Sequence, residues 1–220
     1  MTNTAELNEF KNNDIGAVNT YAMYLRGQHI DDIDTGNTFS GGKDVYIAGL
    51  TNVDTQITWP ALDVYYLFSG DIYIGSLTGE ASLTLSPGIK MSGEINIGRT
   101  YVSSRASDVD APGTIFAIGE PNNPIRIEKT DNISIAAVIQ FYSQTGDLSK
   151  MSNCIIDGAG LSTLGVRITH LENETTNPYP EISNNTISNM ISHPIQVSNA
   201  YPLIENNIYI NNGTNEVQKF

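Results

Sequence analysis

The sequence has a single cysteine, Cys154, in 220 residues. It therefore excludes an intrachain disulfide and any metal site built from several cysteines. Basic residues are few as well, because 11 Lys and Arg stand against 24 Asp and Glu, and the formal charge is -13. A chain this acidic is repelled by phosphate backbones and anionic lipids, so nucleic-acid binding is excluded as its main activity. Charged residues make up 16% of the chain, against roughly 25% in typical globular domains, and we expect a surface that is polar more than charged.

Long apolar runs are also missing. The longest lies within residues 133–141 and falls far short of the roughly 18 apolar residues of a membrane-spanning helix. Residues 1–11 do not combine a basic start with an apolar run, as a secretory signal peptide would. We therefore expect no membrane insertion.

Internal repeats dominate the C-terminal third. Residues 179–189 (YPEISNNTISN) and 201–211 (YPLIENNIYIN) align at an offset of 22 residues, and residues 151–156 (MSNCII) are an earlier copy. The asparagines that fall in two columns of this alignment are Asn153, Asn184 and Asn206, then Asn185 and Asn207. A turn residue in the left-handed conformation favours Asn, and stacked Asn side chains can form a hydrogen-bonded ladder. The sequence therefore predicts a structural ladder at these positions.

Short apolar triplets lie between the copies of this motif. Residues 139–141 (IQF), 166–168 (VRI) and 195–197 (IQV) each place two apolar residues around a polar one, which is the period of a β-strand. A coil of this size can bury its apolar face only by stacking on its neighbours. The pattern predicts an all-β solenoid over residues 61–220. Residues 1–60 do not follow the pattern, and we expect them to form an irregular N-terminal cap or an assembly segment.

Two segments carry a resemblance to a known family. Residues 70–75 (GDIYIG) and 83–90 (LTLSPGIK) resemble the opening of right-handed parallel β-helix proteins of the pectate-lyase-like superfamily, and residues 151–211 resemble their Asn-rich repeat. The resemblance implies a right-handed parallel β-helix. It implies no single function, because the superfamily includes polysaccharide lyases, epimerases, phage tail proteins and non-catalytic surface proteins.

One acidic segment is a candidate metal site. Residues 31–37 (DDIDTGN) place Asp32 and Asp34 at alternate positions before a Gly and an Asn, as in half of a calcium loop. The distal bidentate Glu of such a loop is missing, so a solvated acidic turn is the alternative. Calcium is the only cofactor that the sequence suggests.

A sugar site is the second candidate. The resemblance implies that a lyase on this fold would carry acidic calcium ligands beside an Arg or Lys base, but the outward column through Gln140, Arg167 and Gln196 has no carboxylate. Asp157 and His170 could approach Arg167, and these three residues are the alternative sugar site. The tyrosines expected to face outward, where rings can stack on sugars, are Tyr65, Tyr73, Tyr101 and Tyr209.

The leading functional interpretation is a non-catalytic structural or adhesive protein. We expect it at a cell surface or outside the cell, in an extracellular filament or a phage-like appendage, and we expect it to form homo-oligomers or filaments through uncovered solenoid ends. The alternative is a carbohydrate-active protein, either a lyase or epimerase or a sugar-binding module, with a glycan as its partner.

Overall fold

The computed structural model describes residues 10–16, 20–47, 51–68, 70–102, 107–128, 135–146, 148–169 and 179–220. Apart from one 3₁₀ turn at Gly27–His29, the regular secondary structure of these residues is β-strand, with no α-helix within the described ranges. In the part of the chain that is described, no helix has the length and apolar character needed to cross a membrane.

The strands are short, because Gly, Pro-Gly or Asn turns interrupt the alternating pattern every few residues. In chain order they are β1 (Met23–Leu25), β2 (Val45–Ile47), β3 (Thr51–Val53), β4 (Gln56–Trp59), β5 (Tyr66–Phe68), β6 (Ile72–Ile74), β7 (Ser82–Leu85), β8 (Lys90–Ser92), β9 (Ile95–Ile97), β10 (Arg99–Val102), β11 (Ser107–Asp110), β12 (Thr114–Ile118), β13 (Ile125–Glu128), β14 (Ile135–Phe141), β15 (Lys150–Ser152), β16 (Cys154–Asp157), β17 (Ser162–Thr169), β18 (Glu181–Ser183), β19 (Thr186–Ser188), β20 (His193–Ser198), β21 (Leu203–Glu205), β22 (Ile208–Ile210) and β23 (Gln218–Lys219).

Three parallel sheets share these strands. The first sheet has the order β1-β2-β5-β8-β13-β16-β19-β22, the second β3-β6-β9-β14-β17-β20-β23, and the third β4-β7-β12-β15-β18-β21. From β2 onward the chain visits the first, second and third sheets in turn and returns to the first sheet one strand further along. This rotation is consistent with a parallel β-helix. One antiparallel hairpin, β10 with β11, leaves the coil between β9 and β12.

The pairing register agrees with the repeat alignment. The apolar triplets stack in the second sheet, where Ile139 pairs with Val166 and Val166 with Ile195. In the third sheet, Met151 pairs with Ile182, and Ile182 with Ile204. The offset between copies of the Asn motif is therefore one full turn of the coil.

A continuous core fills the space enclosed by the three sheets. Its members come from every coil, and its largest fully buried side chains include Trp59, Tyr66 and Phe141. Trp59 stacks on Phe68 with ring centroids 5.6 Å apart. Each large apolar side chain that is fully buried contributes roughly 1.5–3 kcal/mol, so the stacked columns supply the stability that no single coil could.

The sheets begin well before residue 61. Met23 pairs in parallel with Val45, and Val45 with Tyr66, so β1 and β2 belong to the first sheet. The sequence pattern placed residues 1–60 outside the coil, which is wrong for the strands between residues 23 and 59. The period is obscured there because the turns are long: residues 60–65 separate β4 from β5, whereas only residues 184–185 separate β18 from β19. A role of residues 1–60 in assembly stays a prediction.

Candidate functional site

The Asn columns of the sequence repeat form a hydrogen-bonded ladder. The backbone N–H of Cys154 donates to Oδ1 of Asn185 (2.9 Å), and the backbone N–H of Asn185 donates to Oδ1 of Asn207 (3.0 Å). Nδ2 of Asn185 donates to the carbonyl of Met151 (3.1 Å), and Nδ2 of Asn207 donates to the carbonyl of Ile182 (2.8 Å). The side chains thus satisfy buried backbone groups at the corner between the third and first sheets.

The preceding column supplies the turn itself. Asn153, Asn184 and Asn206 have φ values of 51°, 57° and 53°. Left-handed backbone of this kind is adopted readily by Gly and Asn and is costly for other residues. Both columns are accounted for by backbone geometry, so this ladder is structural.

Sequence reasoning missed two further copies of the same device. Asn212 accepts from the backbone N–H of Met190 (3.0 Å) and donates to the carbonyl of Ile187 (3.1 Å). Near the N-terminal end, Asn37 accepts from the backbone N–H of Asn13 (3.0 Å) and donates to the carbonyl of Phe10 (2.7 Å). The Asn-Asn pairs at residues 12–13 and 211–212 were the signal, since each repeats the pair at residues 184–185.

The structure gives Asp32 and Asp34 separate neighbours. His29 Nδ1 lies 3.5 Å from Oδ2 of Asp32, and Oδ1 of Asp34 accepts from the backbone N–H of Gly36 (2.7 Å). Within the described ranges, no three His, Cys, Asp or Glu side chains are grouped closely enough to hold a metal ion. Calcium binding at this turn stays a prediction.

The alternative sugar-site residues lie on different sheets. Asp157 ends β16 in the first sheet, and its carboxylate accepts from Nδ2 of Asn189 (3.0 Å) and from the backbone N–H of Ala159 (2.7 Å). Arg167 lies in β17 of the second sheet and donates from Nε to Gln196 (3.2 Å). His170 lies outside the described residues. Arg167 and Asp157 are therefore each engaged with a different neighbour.

A cluster of polar side chains on the outer face of the second sheet was not anticipated. Tyr73, Asn96 and Gln140 occupy one outward column, and all three are buried. Glu94 and Asp71 immediately precede β9 and β6, and Glu94 accepts from Nε2 of Gln140. Asn96, which is 2% exposed, lies beside the Glu94 carboxyl. We call these five residues the acidic strip.

The hairpin β10–β11 packs against the side of the coil that carries the acidic strip. Arg99 in β10 forms ion pairs with Asp108 and with Asp110 of β11 (Nε to Oδ1, 2.9 Å). Its guanidinium lies 3.9 Å from the ring centroid of Tyr142. Gly75 makes room for the base of the hairpin, because a Cβ there would lie 2.6 Å from the carbonyl oxygen of Arg99. The hairpin thus packs against the coil through Arg99 at its base.

Burial changes the acidity of the strip. It raises the pKa of Glu94 to about 7, and the neighbouring Asp71 carboxylate adds to the rise. Burial also raises the pKa of Asp71 above its ordinary value, with Asp108 contributing in the same direction. Carboxyl groups with raised pKa values beside an arginine can act as proton donors or bind ligands. The outward column through Arg167 itself contains no carboxylate, as the sequence predicts, but Glu94 lies beside that column and interacts with Arg167.

Exposed apolar side chains are concentrated on the last strands. Leu203 of β21 is 49% exposed, and Ile208 and Ile210 of β22 are 59% and 43% exposed. A cavity of about 430 Å³ near the C-terminal end is lined in part by Val197, Ile204 and Phe220. The core column of the last coil is thus only partly covered.

The tyrosines that were predicted to face outward differ in their positions. Tyr65 donates its hydroxyl to Glu128 (2.6 Å), and Tyr73 lies in the acidic strip. Tyr209 points inward instead, because it continues the column of Ile156 and Ile187 and packs against the core. The side chain of Tyr101 lies outside the part of the chain that the structure describes.

An exposed tyrosine group that sequence reasoning missed lies on the outer face of the first sheet. The ring centroids of Tyr21 and Tyr46 are 4.3 Å apart, and those of Tyr24 and Tyr46 are 5.2 Å apart.

Comparison with known proteins adds no assignment, because no protein-family model, no curated protein and no solved structure matches the chain.

Proposed function

We propose that the chain is a non-catalytic structural or adhesive protein built on a right-handed parallel β-helix, and that it self-associates through its last coil. Right-handed coiling is supported by the general rule that crossovers between parallel strands of one sheet are right-handed in nearly all cases. The resemblance to parallel β-helix proteins supports the same choice.

The observation that carries the proposal is a change of chemistry on the last strands. Ile208 and Ile210 follow Thr186 and Ser188 in the same outward columns of the first sheet. In the third sheet, Leu203 follows Glu181. Three positions that are polar in one coil are therefore aliphatic and exposed in the next. Contiguous exposed apolar side chains of this kind are typical of interaction sites.

Unpaired backbone groups on the last strands also favour association. Among the described residues, β21, β22 and β23 are the edge strands at the C-terminal end of the three sheets. Edge strands present unpaired N–H and C=O groups that accept a further strand. Covering the exposed half of three aliphatic side chains would contribute roughly 1 kcal/mol each, in addition to the new backbone hydrogen bonds.

The proposal places the protein outside the cell or on a cell surface, in a filament or a phage-like appendage. A formal charge of -13 suits such an assembling protein, because net charge keeps a repetitive β-protein soluble while its ends associate.

Light scattering after size-exclusion chromatography tests the proposal. The wild-type chain should form oligomers whose mass increases with concentration, and the pair Ile208→Lys with Ile210→Lys should remain monomeric with an unchanged β-type circular dichroism spectrum. The matched control is Leu77→Lys with Leu148→Lys, which also removes two exposed aliphatic side chains but leaves the last coil intact. A monomeric wild-type chain, or equal effects of the two pairs, would contradict the proposal.

The acidic strip favours a second candidate, a carbohydrate-active or sugar-binding protein. Glu94, whose pKa is raised, lies near Arg167 and Tyr142, and a carboxyl beside a basic residue and a tyrosine is the combination that a lyase or epimerase would need. Affinity electrophoresis against neutral and acidic polysaccharides tests this candidate. Retardation that Glu94→Gln and Arg167→Gln abolish would support it, and unretarded migration on every polysaccharide would contradict it.

A further inference from the structure

We propose that a second copy of the chain docks head to tail, so that β1 of one copy pairs in parallel with the free edge of β22 of the other and the first sheet continues across both copies. This inference rests on the proposed self-association and adds to it the docking partner and the register.

Strand direction favours this arrangement. All eight strands of the first sheet run parallel, and among the described residues β1 and β22 form its two edges. The free side of β22 therefore has the hydrogen-bonding pattern that β19 offers to β22, and β1 can occupy the next position without reversing direction. A two-fold contact of β22 with itself would instead create an antiparallel pair at the end of a parallel sheet.

Matching columns define the register. One inward column of the first sheet starts at Met23 and ends at Tyr209, through partners in every strand of the sheet. The neighbouring outward column starts at Tyr24 and ends at Ile210. In the head-to-tail arrangement, Met23 therefore follows Tyr209 and Tyr24 follows Ile210.

Burial shows that both ends of these columns are unfinished. The inward side chains in the middle of the sheet, such as Ile127 and Ile156, are fully buried, whereas Met23 and Tyr209 are only partly buried. The outward Tyr24 is 67% exposed. Docking in register would cover an aromatic and an aliphatic side chain on the outer face and complete the core on the inner face.

The two strands that would meet carry no like charges, although the chain as a whole is acidic. β1 reads Met-Tyr-Leu and β22 reads Ile-Tyr-Ile, so neither strand contains a carboxylate. Arg26 follows β1 directly. Repulsion between two chains of formal charge -13 is therefore absent from the strands that meet, and aromatic pairing with aliphatic side chains is favourable between neighbouring strands.

Disulfide trapping tests the register. Directly opposed residues on adjacent strands have Cα atoms about 4.8 Å apart, which is within the range that a disulfide spans. Tyr24→Cys and Ile210→Cys are made in two separate chains that differ in size, so that a mixed dimer can be distinguished from a dimer of either chain with itself. Burial raises the pKa of the native Cys154 thiol to about 12, so this residue does not compete. Leu148→Cys provides an exposed control away from both edges.

Head-to-tail docking predicts a mixed disulfide only when the Tyr24→Cys and Ile210→Cys chains are oxidised together, and a ladder of covalent oligomers from the double variant. Efficient coupling of Ile210→Cys to itself would overturn the inference in favour of a two-fold contact. Yields no higher than those of Leu148→Cys would overturn it as well. Light scattering on the same samples separates the proposed self-association from the proposed register. Oligomers without the mixed disulfide contradict only the register, whereas monomers contradict self-association itself.

Discussion

Replacing Glu94 by Gln should remove most of the pH dependence of stability around neutral pH. In the folded chain the pKa of Glu94 is about 7 instead of 4.5, because the carboxyl is buried first of all and lies near Asp71 in addition. In the unfolded chain both influences disappear. The proton on Glu94 is therefore held more tightly by the folded state, and folding and protonation are coupled.

The sign follows from the order of the two pKa values. Below pH 4.5 both states are protonated, and the group does not oppose folding. Between pH 4.5 and about 7 only the unfolded state has lost the proton, so the free energy of unfolding falls by about 1.4 kcal/mol per pH unit. Over this interval the loss amounts to about 3 kcal/mol, and above pH 7 this group causes no further change.

Glutamine keeps the size of the side chain and an oxygen that can accept from Gln140 Nε2, but it cannot ionise. Urea unfolding followed by circular dichroism at several pH values between 4 and 8 measures the effect. The variant should be about as stable as wild type at pH 4 and more stable at pH 8 by up to about 3 kcal/mol. Asp71, whose pKa is also raised by burial, should leave a weaker residual slope of the same sign.

Glu80→Gln is the matched control, because Glu80 is exposed and its carboxylate interacts with Gln56 at the surface. This variant should retain the wild-type slope. The reasoning is refuted if Glu94→Gln and Glu80→Gln show the same slope between pH 5 and 7, since the Glu94 carboxyl would then ionise equally easily in both states.

The ladder, the core column and the acidic turn give further predictions. Asn185→Ala should lower the free energy of unfolding by about 2–4 kcal/mol in urea titrations, because two buried backbone groups lose their partner. At the left-handed Asn184, Ala should cost about 1–2 kcal/mol and Gly much less. Ile182→Asp should cost several kcal/mol and Ile204→Asp less, as judged by thermal melting, because Ile204 is only partly buried. If the acidic turn binds calcium, chelation should lower the Tm, and Asp34→Asn, which keeps an acceptor for the turn, should remove that sensitivity.

The parts of the fold that the sequence predicted are those in which one turn type recurs at a short spacing. Asn184 and Asn206 lie 22 residues apart, and each is followed by a second Asn and by an apolar strand, so the offset between coils could be read directly. The first coils lack this signal. Their inward residues, such as Val45 and Trp59, are apolar, but the turns between them differ in length, and no single offset aligns them.

The direction of Tyr209 shows where alternation is ambiguous. Ile208, Tyr209 and Ile210 look like the triplet of Ile195, Gln196 and Val197, in which the central residue faces outward. In the structure the central residue is the inward one, as it is in β19, the strand that pairs with β22. When all three residues of a strand can be buried, period alone does not decide the face, and pairing with the neighbouring strand does.

The acidic strip was missed for a different reason. Its carboxylates do not lie in the outward strand column through Gln140 and Arg167 but in the residues just before β6 and β9. Residues 70–75 (GDIYIG) and 93–98 (GEINIG) repeat at an offset of 23, and Ile72 pairs with Ile95. The sequence therefore contained the signal that stacks Asp71 and Glu94. Their burial additionally depends on the surrounding outer face, where the hairpin packs, and no local pattern predicts that contact.

The acidic strip and the last strands should act independently. Glu94 directly precedes a strand of the second sheet, and Ile210 lies in the edge strand of the first sheet, four strand positions beyond β8, which corresponds to about 19 Å along the coil axis. Substitutions separated by more than about 10 Å without shared partners are usually additive. Ile210→Lys should therefore abolish association while keeping the wild-type dependence of unfolding on pH. Glu94→Gln should keep association and lose most of that pH dependence. The double variant should show both effects. If the double variant recovers association, the loss of charge at residue 94 affects the edge through the coils between the two sites. The two surfaces would then belong to one functional unit.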